Sequence, residues 1–342
     1  MFRSFNPTEM PFNSTNGGST CLAMTWRAIS ARPSVTSVAS GSPRAGQGGA
    51  APLKVKEFVG SVARLEWAKE NGCPWQPRTC AQADQGGRLE VLKWAREHGC
   101  DWDAWTCANA AEGGHLGMLV WAREHGAPWV EVDEDEGEDI MNCCACAATG
   151  GHLEVLKWLR AQDCPWDEWT CACAADKGHL EVLRWERQHG CAWEEDIGDS
   201  DRDCCALAAV GGHLEVLKWL REHDCPWEAS ICACAAEGGH LEVLKWAWEQ
   251  GCAWEEDIED SDRDCCALAA VGGHLEVLKW LREHNCPWNA STCACAARTG
   301  HLELLKWARK HHCPWDAETR LWAEEEGHLE LLQWAVQNGA PA

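Results

Sequence analysis

The chain has 342 residues, 46% of them hydrophobic and 25% charged, with a formal net charge of −24. That apolar share is too high for a disordered acidic chain, and the shortage of Lys and Arg speaks against nucleic acid, whose binding rests on cations displacing counterions from phosphate. Charges break every apolar run well short of the ~18 residues a membrane span needs, so no membrane partner is expected.

Trp occurs 24 times beside 4 Phe and no Tyr, which points to one Trp-rich phrase copied many times. The 24 Cys would suit a secreted disulfide scaffold only in a much shorter chain, and no cationic start with an apolar run of signal-peptide length opens this one. The thiols are therefore read as reduced and the protein as intracellular and cytoplasmic.

Residues 1–50 are rich in Ser, Thr, Gly, Pro and Asn, carry Arg3, Arg27, Arg32 and Arg44, and have Glu9 as their sole acid. They are expected to be a disordered tail. An acid-poor, Arg-bearing start also describes an organelle transit peptide, the alternative to a cytoplasmic location.

From residue 51 to 342 a repeat takes over, in register on Trp67, Trp94, Trp121, Trp158, Trp185, Trp219, Trp246, Trp280, Trp307 and Trp334. The base spacing is 27, lengthened to 37 once and to 34 twice, always after a second repeated Trp (Trp129, Trp193, Trp254). Insertions confined to one place in a repeat map to loops on one face. The stretch Cys191–Trp246 is nearly repeated 61 residues later as Cys252–Trp307.

The first unit, around Val55 to Trp67, is degenerate. In the inner units a short helix of Cys and Ala (Cys171 to Ala175, capped by Thr170) is expected to end at Gly178. A longer helix of the type His152 to Arg160 follows, its apolar residues covering roughly 220° of arc, which suits a helix covered on both sides. Stops are expected at Asp163, Gly190, Asn285 and His312, usually before a Cys-Pro-Trp whose proline cannot continue the helix. One such pair cannot bury its own apolar surface, but side-by-side copies make one continuous core. Small residues on the short helix should let the stack close up on that side and make it concave. In the last unit Glu324, Glu325 and Glu326 replace small residues, as expected of an end with a wetted face.

The phrase Gly-His-Leu-Glu-Val-Leu-Lys-Trp-Leu-Arg-Glu-His, preceded by Ala-Ala-x-x, resembles the second half of an ankyrin repeat, and Ala174 to Glu181 match that family's Ala-Ala-x-x-Gly-His-Leu-Glu almost letter for letter. The period of 27 departs from the family's ~33, and Thr-Cys-Ala-Cys, as at Thr292, replaces its Thr-Pro-Leu-His. The resemblance implies an all-α, ankyrin-like solenoid of about ten stacked helix-turn-helix repeats with shortened fingers. By family analogy it also implies an interaction scaffold or adaptor rather than an enzyme, and a monomer.

Cys171 and Cys173, Cys232 and Cys234, and Cys293 and Cys295 invite a Cys-rich metal-binding or redox reading, but residues two apart on a helix point about 200° apart. Core packing is the preferred reading, with no metal and no cofactor. Asp199 to Asp203 and Asp260 to Asp264 look like calcium loops but lack the sixth-position Gly and twelfth-position Glu. The repeated His is read as a local turn or cap, and the Trp of Cys-Pro-Trp as packing between repeats. The partner is expected to be another protein with a basic segment. Its expected contacts are Glu134, Asp135, Glu136, Asp196, Asp199, Asp201, Asp257, Asp260 and Asp262 in the inserts, and Trp105 and Trp169 as exposed anchors, since interface hot spots favour Trp.

Overall fold

Alternating Ala/Cys and Leu/Val/Trp segments produce helix after helix. The computed structural model describes residues 60–71, 86–102, 105–129, 142–191, 203–227, 230–252, 254 and 264–342, and among these are eighteen α-helices and no strand. The expected tail, residues 1–50, and the acidic middles of the three inserts lie outside the described residues.

Two long-type helices come first, α1 (Val62–Glu70) and α2 (Leu89–Glu97). Eight short/long pairs follow. They are α3 (Trp105–Glu112) with α4 (Leu116–Glu124), α5 (Cys143–Gly150) with α6 (Leu153–Ala161), α7 (Glu168–Asp176) with α8 (Leu180–Gln188), and α9 (Cys204–Gly211) with α10 (Leu214–Glu222). The rest are α11 (Ser230–Gly238) with α12 (Leu241–Glu249), α13 (Cys265–Gly272) with α14 (Leu275–Glu283), α15 (Ala290–Arg298) with α16 (Leu302–Lys310), and α17 (Ala317–Glu325) with α18 (Leu329–Gln337).

The short helices are longer than expected, because their caps lie earlier. α7 starts after Asp167, and Thr170, expected to be the cap, is the third helical residue, its hydroxyl accepting from the Asp167 backbone N–H at 3.4 Å. Where an insert precedes the helix, the cap is an Asn or Asp whose side chain accepts from the backbone three residues on: Asn142 from Ala145, Asp203 from Ala206 and Asp264 from Ala267. The expected stops hold, with Asp163, Asn285 and His312 at φ 56–65° and Gly190 at 88°.

Short helices bring their backbones together most closely with the short helices on either side, while the long helices mostly keep further apart. Ala and Cys side chains permit that approach. On each long helix from α2 to α16 the third and fourth residues and the residue after the Trp are buried, as Val216, Leu217 and Leu220 are in α10. Each buried Val or Leu among them contributes on the order of 1.5–3 kcal/mol by leaving water. The result is an all-α solenoid of helix-turn-helix repeats. Glu324, Glu325 and Glu326 are exposed at the last repeat, but so are Leu321, Leu329 and Val336, so that end is partly apolar and not only wetted. No described helix is long and apolar enough to cross a membrane.

Candidate partner-binding surface

Two rows of side chains tie each repeat to the next, and both come from the copied phrase. The first row runs along the ends of the long helices. Two residues after the repeated Trp stands an Arg whose guanidinium lies over the Trp of the following loop, 3.9–4.7 Å from its ring centre for Arg96, Arg123, Arg160, Arg221, Arg282 and Arg309. The same Arg caps the chain end of its helix, Arg160 donating to the Cys164 carbonyl at 2.6 Å and Arg187 to that of Cys191 at 3.0 Å. A cation at a helix C-terminus is also favoured by the helix dipole. The loop Trp then meets the long-helix Trp of the next repeat edge-on, as Trp166 meets Trp185 at 5.9 Å and Trp288 meets Trp307 at 6.0 Å. The Trp of Cys-Pro-Trp is thus the packing residue between repeats that the sequence implies.

The second row is the histidine of Gly-His, and here the expectation of a local cap needs correction. These histidines stand at the N-cap position of the long helices, yet none makes a side-chain cap bond in α6, α8, α10 or α18. Their Nε2 atoms reach back to the preceding repeat, His179 to the Thr149 carbonyl at 3.0 Å, His213 to Asp176 at 2.9 Å and His328 to Arg298 at 3.1 Å. The ring lies against the glycine that ends the preceding short helix. Gly151 needs its left-handed φ of 72°, and a Cβ there would sit 2.5 Å from the His179 ring. Glycine and histidine are therefore one device spanning two repeats.

All described cysteines are free and buried. From the α5/α6 repeat to the α15/α16 repeat the thiols meet across their own hairpin, a contact between residues about 20 apart that neither spacing two apart nor adjacent repeats suggests. Cys143 and Cys144 hydrogen bond with Cys164, Cys171 with Cys191, and Cys265 and Cys266 with Cys286. The bond to Cys164, then burial, hold the Cys143 and Cys144 thiols above the ordinary range, and the same bonds lower Cys164. Among the described residues no group of three or more His, Cys, Asp or Glu is placed to hold a metal ion.

The long helices' outer faces are charge-balanced. A Glu and a Lys or Arg three residues on are paired from Glu90–Lys93 at 2.8 Å to Glu303–Lys306 at 2.7 Å, each Glu being exposed. One carboxyl is different. Glu186 in α8 is buried where other repeats have Leu or Ala, and burial raises its pKa well above the usual range, only partly offset by the neighbouring Cys171 thiol.

Of the expected contact residues, Trp105 and Trp169 lie in the first turns of α3 and α7 and are half-buried rather than exposed. Glu134, Asp135, Glu136, Asp196, Asp199, Asp201, Asp257, Asp260 and Asp262 lie outside the described residues. The Arg row, Glu186 and the exposed Trp248 were not picked out from the sequence, although each stands at a fixed offset from the repeated Trp and aligning the copies on that Trp exposes them.

Residues 107–160 and 266–309 match the family model for ankyrin repeats (many copies). The crystal structure of the human ASB11 ankyrin repeat domain aligns over 59% of this chain and 96% of that one, at 16% identity and a TM-score of 0.44. No curated protein matches the sequence. Repeats of this family are in general protein–protein interaction modules, and proteins built of them are typically non-enzymatic scaffolds. The two matched stretches, 107–160 and 266–309, are ankyrin repeats, and they fall on helix pairs that recur in register along the described array.

Proposed function

We propose that the array is a monomeric scaffold that binds a basic segment of another protein along one acidic edge. The observation that carries this reading is where the three inserts are rooted. Each leaves after a long helix, at Trp129, Cys191 or Trp254, and returns at the cap of a short helix, at Asn142, Asp203 or Asp264. These are the same two points in every case, so the inserts share an edge. Most of the net charge of −24 comes from these inserts, because the helix faces balance their acids with bases. A row of unbalanced acids steers a cationic partner and suppresses acidic ones.

In this reading Glu134, Asp135, Glu136, Asp196, Asp199, Asp201, Asp257, Asp260 and Asp262 supply the field, and Trp105 and Trp169 flank it with partly open indole faces. Neutralising the nine acids to Asn and Gln tests it. Affinity for a basic peptide, measured by calorimetry at low and at physiological salt, should fall at least tenfold and lose most of its salt dependence, with the unfolding midpoint unchanged. Unchanged affinity and salt slope would overturn the reading.

A further inference from the structure

The Arg row has one gap. Every described long helix from α2 to α16 has Arg two residues after the repeated Trp, at positions 96, 123, 160, 187, 221, 282 and 309, except α12, which has Trp248. The related helix α8, 61 residues earlier, keeps Arg187, so the change is confined to one copy.

Its consequence is geometric. Trp248 lies 19° from parallel to the loop Trp254, with ring centres 6.5 Å apart. Trp280 of the next repeat stands edge-on to both, at 6.0 and 6.2 Å. His284 stacks on Trp280 at 4.0 Å and meets Trp248 edge-on at 5.0 Å, closing the back. Three indoles thus form a corner where the other repeats have two indoles and a guanidinium. Among the described residues no Lys or Arg of the chain lies over Trp248, Trp254 or Trp280, and Trp248 is 40% exposed, one of the most open large apolar side chains of the array. The exposed Glu249 and Glu283 adjoin Trp248 and His284 in sequence.

Resting on the reading that the partner is a basic segment, we infer that the corner of Trp248, Trp254 and Trp280 receives an arginine side chain of that partner. The chain itself supplies the argument for arginine. In six repeats a guanidinium is the group that covers the loop Trp, within 4.7 Å of its ring centre, and among the described long helices α2 to α16 that cation is missing at α12 alone, where the aromatic surface is enlarged. A planar, weakly hydrated guanidinium stacks on an indole face, whereas an ammonium stays hydrated and prefers its water. The acids beside the corner add charge complementarity.

The test uses the full chain, a nona-arginine and a nona-lysine peptide, and the variant Trp248→Leu, titrated at physiological salt. Leucine keeps the charge and is tolerated at a surface position. A second variant, Trp248→Arg, restores the group found in the other repeats and should keep the unfolding midpoint. The wild type is expected to prefer nona-arginine, and both variants should weaken its binding by about 5- to 30-fold, the equivalent of roughly 1–2 kcal/mol of cation–π attraction, with nona-lysine binding to Trp248→Leu unchanged. Equal binding of the two peptides that is indifferent to Trp248→Leu would overturn the arginine corner and leave the basic-partner reading standing. Failure of the wild type to bind either peptide would overturn both.

Discussion

Glu186 shows how much one position in a repeat can be asked to tolerate. Its equivalents Leu159, Leu220 and Leu281 are fully buried, and so is Glu186, with no cation beside it among the described residues and only the Cys171 thiol as a hydrogen-bonding neighbour. Burial favours the protonated acid, so the folded pKa is raised. A raised carboxyl pKa contributes most to stability below its unfolded value, about 4.3, and that contribution is lost as the pH climbs through the folded value. Asp264, pushed up to about 6 by burial, acts with the same sign. Through these two carboxyls the array should therefore lose stability as the pH climbs from about 4.5 through 6, whereas the lowered Cys164 thiol acts with the opposite sign. Glu186→Leu should raise the urea unfolding free energy at pH 7.5 by about 1–3 kcal/mol and flatten the pH slope. A variant less stable than wild type, or an unaltered slope, would show that the carboxyl is satisfied.

Among the helices, the boundary between what is and is not legible in sequence follows the range of the interactions. The long helices and their stops can be read directly, because Leu, Val and Trp recur at helical spacing and Asp163, Gly190, Asn285 and His312 stand where the period breaks. The start of the short helix was misplaced by three residues, since both Asp167 and Thr170 are good caps and only the fold decides that Thr170 answers Asp167 from inside the first turn. The histidine row and the thiol pairs were misread or missed for one reason. His179 and Thr149 are 30 residues apart, and Cys171 and Cys191 are 20 apart, so no local pattern reports their contact. Burial can be tested at this scale within one helix. Leu217→Ala in α10, at a fully buried position, should cost about 2–5 kcal/mol. Glu215→Ala, which removes an exposed ion pair with Lys218, should cost no more than about 0.5 kcal/mol. Similar losses for the two, measured by chemical unfolding, would contradict the assignment of inner and outer faces.

Across the whole array, stability is shared between neighbours, each hairpin covering the flank of the next, while the unbalanced charge sits in connectors that leave from one edge. That division lets sequence change freely in the inserts without disturbing the stack, which fits their three lengthened spacings. It also implies a gradient along the molecule. The pair α11 and α12 is covered on both sides, whereas α17 and α18 are flanked on one side by a described repeat and leave Leu321 and Leu329 exposed. Native-state amide hydrogen exchange measured helix by helix tests this nearest-neighbour stacking most directly. Protection should be highest in the long helices α10, α12 and α14 and fall by an order of magnitude or more in α18. Protection in α18 equal to or above that of α12 would contradict it.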